Sequence, residues 1–189
     1  MADLAQARLN MVESQVRPSD VTDIRIHDAM RALPREAFLP DDKRYLAYAD
    51  VAVAYGPGRS LLKPRDVAKL LQMATPAKGE RALAIAAPYA AAVLTELGLE
   101  VTRLDAEDLT TLPGGDYDLI VVEGAVTRAP EAWLKALAVG GRLAVVERDG
   151  PVGKACLYLR SEGDLGRRTV FDATPPVLAG FEPQPGFAF

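Results

Sequence analysis

Cysteine, histidine and tryptophan each occur once in this 189-residue chain, and aromatic residues make up only 6% of it. Because Cys156 has no second cysteine to pair with, no disulfide can form within the chain. The single cysteine also excludes a zinc site built on thiolates, and the single histidine excludes a histidine-rich metal site. Cys156 lies in an apolar run and is predicted to be a buried strand residue. His27 is predicted to be a surface or partly buried residue of a helix in the N-terminal region. No metal is expected.

Long apolar runs and a strong charge bias are also missing. No run of about 18 apolar residues occurs, and the first residues lack the basic and apolar segments of a leader. The formal net charge of -4 gives no electrostatic reason to expect nucleic acid or an anionic membrane as a partner. The sequence therefore predicts a cytoplasmic, single-domain protein (residues 1–189) with a sizeable core.

Glycine is missing where it would be most informative. Residues 83–94 read LAIAAPYAAAVL, the pattern of a buried strand that turns directly into a helix. In doubly wound α/β proteins this turn commonly carries glycines and binds a nucleotide. Here the turn contains alanine and proline instead.

The remaining pattern predicts two regions. Helices are expected over residues 3–16, over residues 24–33 with Asp20 or Thr22 as the cap, and from Pro64 to about Pro76. Between them, residues 41–58 are predicted to form an ordered loop with short strands. This part, residues 1–76, is expected to form a helical cap and a loop region.

Residues 77–189 alternate short apolar runs with helical segments, which predicts a mainly parallel sheet with helices on both faces. The Gly140-Gly141 pair is interpreted as a helix stop, and Trp133 as a packing anchor. The last two strands form a predicted antiparallel hairpin. The predicted strands span 82–86, 101–104, 117–122, 142–146, 154–160 and 167–171, and the predicted helices span 89–97 and 130–137.

Several motifs resemble those of protein-L-isoaspartate O-methyltransferases, which methylate damaged aspartyl residues with S-adenosylmethionine (SAM). The resemblance is strongest in the N-terminal third and continues more weakly to the end of the chain. It implies a Rossmann-like methyltransferase fold, a three-layer α/β/α sandwich with an N-terminal helical cap. The motifs are residues 11–17 (MVESQVR), 21–23 (VTD), 29–30 (AM), 34–40 (PREAFLP), 47–50 (AYAD), 63–64 (KP), 117–122 (YDLIVV) and 137–143 (LAVGGRL).

The chain departs from the family pattern at the cofactor turn. Ala84 stands where the family has an acidic residue, and residues 86–88 replace its glycine-rich turn. Glycines there allow positive φ and a close approach to the ligand, which alanine allows only at a cost. The resemblance aligns Tyr89 and Asp105 with the cofactor-binding tyrosine and the ribose-binding acid. The residues around Asp105 favour a helix cap or a solvated carboxylate at the strand end over a ribose contact.

The acceptor side departs as well. The family's active-site loop, Gly-Gln-Thr-Ile-Ser-x-Pro, aligns with residues 58–64 (GRSLLKP), so Leu62 replaces the serine. Ser60 is the remaining candidate for a catalytic or substrate contact, and Asp50, Gly58, Ser60 and Leu62 form the predicted substrate loop.

Between Asp105 and Tyr117 one α/β unit of the family fold is predicted to be missing. Asp108 is an alternative remnant of the family's adenine-side turn, and the sequence leaves the register of this segment open.

Two functions from different classes follow. The first is a non-catalytic homologue that binds no SAM and contacts a protein or peptide through residues 50–63. The second is an active SAM-dependent methyltransferase that repairs isoaspartyl sites. A changed ligand in the altered pocket is a third possibility.

Overall fold

The computed structural model describes residues 3–183, in which a six-stranded sheet carries helices on both faces. The N-terminal region begins with α1 (Leu4–Met11), which continues into a π-helical turn (Val12–Val16) and a 3-10 turn (Arg17–Ser19). After α2 (Ile24–Ala32), two further 3-10 turns follow (Arg35–Phe38 and Asp41–Leu46). The short strands β1 (Val53–Gly56) and β2 (Arg59–Leu61) pair antiparallel before α3 (Pro64–Ala74).

The cap of α2 differs from the prediction. Asp23, and neither Asp20 nor Thr22, is the N-cap, and its carboxylate accepts the N–H of Arg25 at 3.0 Å. The side chain of Gln72 accepts the N–H of Thr22 at 2.6 Å, so Thr22 is held by α3 instead of starting α2.

The large sheet has the strand order β4-β3-β5-β6-β7-β8. The pairings among β4, β3, β5 and β6 are parallel, and β7 and β8 add an antiparallel hairpin, as predicted. Residues 105–116 contain neither helix nor strand, which agrees with the predicted loss of one α/β unit. The elements are β3 (Arg81–Ile85), α4 (Pro88–Glu96), β4 (Glu100–Leu104), β5 (Tyr117–Val126), α5 (Glu131–Lys135), β6 (Leu137–Glu147), β7 (Gly153–Ser161) and β8 (Asp164–Ala173).

Two hydrophobic cores lie on opposite faces of this sheet because side chains alternate along each strand. On β3, Ala82 and Ala84 face the core that is shared with α3, α4 and the N-terminal helices. Leu83 and Ile85 face the second core, which is centred on Trp133 of α5. The three-layer α/β/α prediction is confirmed, although α5 has only five residues on its side.

The Gly140-Gly141 interpretation was wrong, because both residues lie inside β6. Leu137 already pairs with Tyr117 of β5, so the helix predicted to reach residue 137 ends at Lys135. Gly140 adopts φ +83° at the irregularity that follows, and a Cβ on Gly141 would lie 2.5 Å from the carbonyl oxygen of Tyr117.

The single cysteine and histidine are both buried. Cys156 is a buried residue of β7, as predicted. His27 is more buried than predicted, and its Nε2 lies 2.8 Å from the carbonyl oxygen of Val21. In residues 3–183, no helix is long and apolar enough to cross a membrane, and no three His, Cys, Asp or Glu side chains are grouped to hold a metal.

Candidate functional site

The turn between β3 and α4 is packed closely against the end of the sheet. Ala86 has a left-handed backbone with φ +48°, a conformation that favours glycine. Its N–H donates to the carbonyl oxygen of Leu104 at 2.9 Å. Ala86, Ala87 and Tyr89 are fully buried, and Pro88, the first residue of α4, has no N–H to donate. The turn therefore leaves little backbone open to a ligand.

Tyr89 fills the space beside this turn. Its ring meets Phe38 edge-on with the centroids 5.5 Å apart, and the guanidinium carbon of Arg35 lies 4.8 Å from the ring centroid. The Tyr89 hydroxyl has no hydrogen-bond partner among the described residues. Burial raises the pKa of Tyr89, so the phenol stays protonated.

Glu123 ties this turn to the loop before α3. It is a fully buried residue of β5. One carboxylate oxygen accepts the N–H of Ala90 in the first turn of α4 at 2.7 Å. The other accepts the N–H of Leu62 at 3.1 Å. A carboxylate at a helix N-terminus is favourable, but burial still raises the pKa of Glu123, and the charge of Arg35 opposes this shift.

Arg35 is also fully buried. Its Nε donates to the carbonyl oxygen of Ala47 at 2.9 Å and its Nη2 to that of Leu62, whereas Nη1 has no partner within residues 3–183. Burial lowers the pKa of Arg35, and Glu123 works against that change. Its guanidinium and the Glu123 carboxylate thus hold Leu62 from two sides.

Neither Arg35 nor Glu123 was predicted as a site residue. A signal for Glu123 exists in the sequence, since it is a lone acid inside the apolar run of residues 119–126. A charge in such a strand requires a buried partner. Arg35 gives no such signal, because it lies among polar and apolar residues in a turn.

The predicted substrate loop is only partly accessible. Ser60 is 9% exposed and pairs with Ala54 in the β1–β2 ribbon, so it is a buried strand residue and not an exposed loop serine. Leu62 is 1% exposed. Asp50 is exposed and lies 3.6 Å from the Arg65 guanidinium. The loop therefore leaves Asp50 accessible to a partner but buries Leu62, the residue predicted to replace the family serine.

Two features of the structure favour glycine at position 58: a left-handed backbone and a close contact with Ala179. It has φ +60°, and a Cβ at this position would lie 2.5 Å from the Cβ of Ala179. We expect Gly58→Ala to lower the free energy of unfolding by about 2–3 kcal/mol, because the strained backbone and the overlap add. Urea unfolding measures the change.

Gly163→Ala is the matched control for that variant. Gly163 has φ +77° in the β7–β8 turn, and an added Cβ would meet nothing within 4 Å, so it carries the backbone strain alone, about 1 kcal/mol. Equal losses in the two variants would contradict a role for the Ala179 contact.

An open cleft of about 600 Å³ lies next to the turn, at the carboxyl ends of β3 and β4. Asp105 lines it just after β4, but its carboxylate is paired with Arg103 at 2.7 Å. Arg59 also lines the cleft and donates to the carbonyl oxygen of Ala106 at 3.0 Å. Tyr55 closes one wall, with its hydroxyl 3.1 Å from the carbonyl oxygen of Ala86. Such a cleft is the usual ligand position in an open α/β sheet.

The structure separates Asp105 from Tyr89, the two predicted cofactor contacts. Asp105 is exposed on the cleft, whereas Tyr89 is fully buried behind the turn. Asp108, the alternative candidate, is held in a local turn by Thr110 and Thr111, which lower its pKa to about 2.

The amino-acid sequence of the chain matches those of known proteins. Residues 7–104 match the family model described as "Protein-L-isoaspartate(D-aspartate) O-methyltransferase (PCMT)". The chain is 35% identical to the protein-L-isoaspartate O-methyltransferase of Methylorubrum extorquens (strain PA1), covering 85% of this chain and 82% of that protein. It is 30% identical to the protein-L-isoaspartate O-methyltransferase of Ignicoccus hospitalis, and the match covers 70% of this chain and 77% of that protein.

Solved structures show the same fold at lower identity. A protein-L-isoaspartate O-methyltransferase superposes with a TM-score of 0.72 at 21% identity, covering 88% of this chain and 64% of that chain. A putative relative from Plasmodium falciparum, solved in complex with S-adenosyl-L-homocysteine, superposes with a TM-score of 0.76 at 16% identity, covering 90% of this chain and 97% of that chain.

Proposed function

Because the chain belongs to the protein-L-isoaspartate(D-aspartate) O-methyltransferase family, we propose that it is a non-catalytic member that acts by contacting a protein or peptide. The contact surface is the segment of residues 50–63 with the neighbouring 3-10 turn, where Tyr45 and Val51 are 78% and 41% exposed. Family members are named for methylating damaged aspartyl residues of proteins, so a polypeptide partner fits the retained fold.

One observation carries the proposal: the N–H groups of Ala86 and Ala90, on either side of Pro88, already donate to acceptors inside the chain. The N–H of Ala86 donates to Leu104, and the N–H groups of Ala90 and Leu62 donate to Glu123. A SAM molecule whose methionine end lay against this turn would need these donors, and Ala87 and Tyr89 fill the adjoining space. The residues present therefore do not fit that end of the cofactor.

The acceptor side supports the same proposal. Leu62 is buried where the family has a serine, and it has no hydroxyl. Ser60, the only nearby replacement, lies in β2 with 9% exposure. A hydroxyl on a buried, paired strand is poorly placed to form a hydrogen bond with the carboxylate of a substrate.

A second candidate is SAM binding with methyl transfer, and Asp105 is the observation that favours it. Asp105 lines the cleft of about 600 Å³ at the end of β4, the position from which an acid can accept ribose hydroxyls. One oxygen of this carboxylate is paired with Arg103, and the other oxygen can accept a ribose hydroxyl while that pair stays closed.

Calorimetry separates the two candidates. We expect no saturable heat when the purified chain is titrated with SAM or S-adenosylhomocysteine to millimolar concentration, because Ala86, Ala87 and Tyr89 are fully buried and the N–H groups of Ala86 and Ala90 already have acceptors. The Plasmodium falciparum relative, solved with S-adenosyl-L-homocysteine, serves as the positive control in the same buffer.

Saturable binding at micromolar concentration would contradict the proposal. Asp105→Ala then tests the second candidate, since loss of that binding would identify Asp105 as the ribose contact. Transfer of a radiolabelled methyl group from SAM to an isoaspartyl peptide, absent with the matched aspartyl peptide, would likewise establish the enzyme.

A further inference from the structure

A groove lies far from the cofactor turn, on the α3 face of the last two strands. Two clefts of about 490 Å³ each share Met73, Thr75 and Arg168 and run between α3 and the β7–β8 hairpin. This region, called the β7–β8 groove, is lined chiefly by Lys69, Met73, Leu157, Leu159, Gly166 and Arg168.

Strand register explains its shape. Arg168 pairs with Leu157, and Gly166 pairs with Leu159, so these four residues share one face of the hairpin. Gly166 has no side chain, and an added Cβ would meet only the carbonyl oxygen of Leu159 at 3.8 Å. The floor of the groove is therefore open above Gly166.

Apolar surface remains exposed along the hairpin. Leu159 and Val170 are 48% and 45% exposed, and every residue of β8 from Asp164 to Val170 is exposed. Helix α3 packs against β5, β6 and β7. In layered α/β folds, an apolar sheet face is normally covered by a helix.

The charges around the groove are mostly basic, although the chain as a whole carries a net charge of -4. Arg142 and Arg167 are paired with Glu80 and Glu147. Lys69 and Arg168 have no acidic partner among residues 3–183, and Lys69 lies 4.7 Å over the Phe171 ring. Asp20 is the acid on the rim. Two cations beside apolar surface favour an acidic, amphipathic ligand.

The edge of β8 argues against an added strand. The β7–β8 pairing is irregular between Ala155 and Cys156, and charged side chains are spaced along β8 from Asp164 to Asp172. Bulges and charges are the usual means by which a sheet edge resists further pairing. A helix lying on the face needs no edge hydrogen bonds.

We infer that the β7–β8 groove binds an acidic amphipathic helix of a partner protein. The apolar side of that helix covers the exposed Leu159 and Val170, and its carboxylates meet Lys69 and Arg168. This contact is separate from the proposed surface at residues 50–63 and does not depend on whether SAM binds.

Fluorescence anisotropy with a synthetic probe tests the inference. The probe is a labelled helical peptide of about 18 residues, with leucines on one side and glutamates flanking them. We expect saturable micromolar binding to the full chain, at least tenfold weaker binding of the same peptide with lysines, and at least tenfold weaker binding of the glutamate probe to Arg168→Glu.

Lys135→Glu is the control, because Lys135 is exposed on α5 at the opposite face, and it should bind the probe like the parent chain. Leu159→Glu provides a second groove variant if Arg168→Glu unfolds at a clearly lower temperature than the parent chain. Equal binding to all variants, or preference for the lysine peptide, would overturn the inference.

Photo-crosslinking from Val170 in the producing cell identifies the occupant. Crosslinks to an acidic amphipathic segment of another protein support the inference. Crosslinks to a second copy of this chain, together with a dimer in sedimentation that Leu159→Glu dissociates, would overturn it.

Discussion

Replacing Glu123 with alanine is expected to lower the free energy of unfolding by about 3–5 kcal/mol. The substitution leaves the N–H groups of Ala90 and Leu62 without an acceptor, and each such buried group costs about 1–3 kcal/mol. It also removes the buried carboxylate whose charge acts on the buried Arg35, and a buried charge left without compensation is costly. Urea unfolding of both proteins at pH 7 measures the loss.

Two further variants show whether the charge or the hydrogen bonds dominate. Glu123→Gln keeps one acceptor oxygen and the side-chain volume, so it should lose about half as much. The double variant Arg35→Met with Glu123→Met removes both buried charges and should be more stable than Glu123→Met alone. If the free energy of unfolding of Glu123→Ala falls by less than about 1 kcal/mol, the hydrogen bonds from Ala90 and Leu62 to Glu123 do not stabilise the turn.

The same carboxyl should make stability depend on pH. Burial raises the pKa of Glu123 above its ordinary value of 4.5, so the folded chain binds this proton more tightly than the unfolded chain. The stabilising contribution is complete below pH 4.5 and is lost as the pH rises through the raised folded value. The stability difference between the parent chain and Glu123→Gln should therefore shrink from pH 4.5 upward.

Trp133→Ala is the second substitution with a large expected effect, about 3–5 kcal/mol. Trp133 is fully buried on α5, its Nε1 donates to the carbonyl oxygen of Leu109 at 2.7 Å, and its ring lies 5.4 Å from that of Phe181. Urea unfolding followed by circular dichroism measures the loss, since the substitution removes the only tryptophan fluorophore.

Trp133→Phe separates packing from hydrogen bonding in the second core. Phenylalanine keeps most of the ring volume but leaves the carbonyl oxygen of Leu109 unpaired, so it should cost about 1–2 kcal/mol. A loss in Trp133→Phe as large as that in Trp133→Ala would contradict the packing role. Phe181 packs against this tryptophan, and the two phenylalanines that follow it in the sequence, Phe187 and Phe189, lie outside the described residues.

The sequence predicted most elements because local physics defines them. Alternating apolar residues place β3 between two cores, and Pro64 starts α3 where its missing N–H costs nothing. The lengths of β5 and β6 were underestimated, because the charge of Glu123 and the glycines at 124, 140 and 141 resemble strand ends. Only the tertiary contacts show that these residues continue the strands.

The candidate site, like the helices and strands, could be predicted only in part from the sequence. From the sequence alone, the turn at residues 86–88 has no glycine and residue 62 is a leucine without a hydroxyl, because these are statements about which residue occupies a position. Where Ser60 points, and how deeply Tyr89 is buried, depends on elements far apart in the chain. The sequence by itself determined that a nucleotide-type turn is filled with alanine and proline. Only the tertiary structure decided that Glu123 and Arg35 hold it closed, because a buried charge is stabilised by partners that residue order does not reveal.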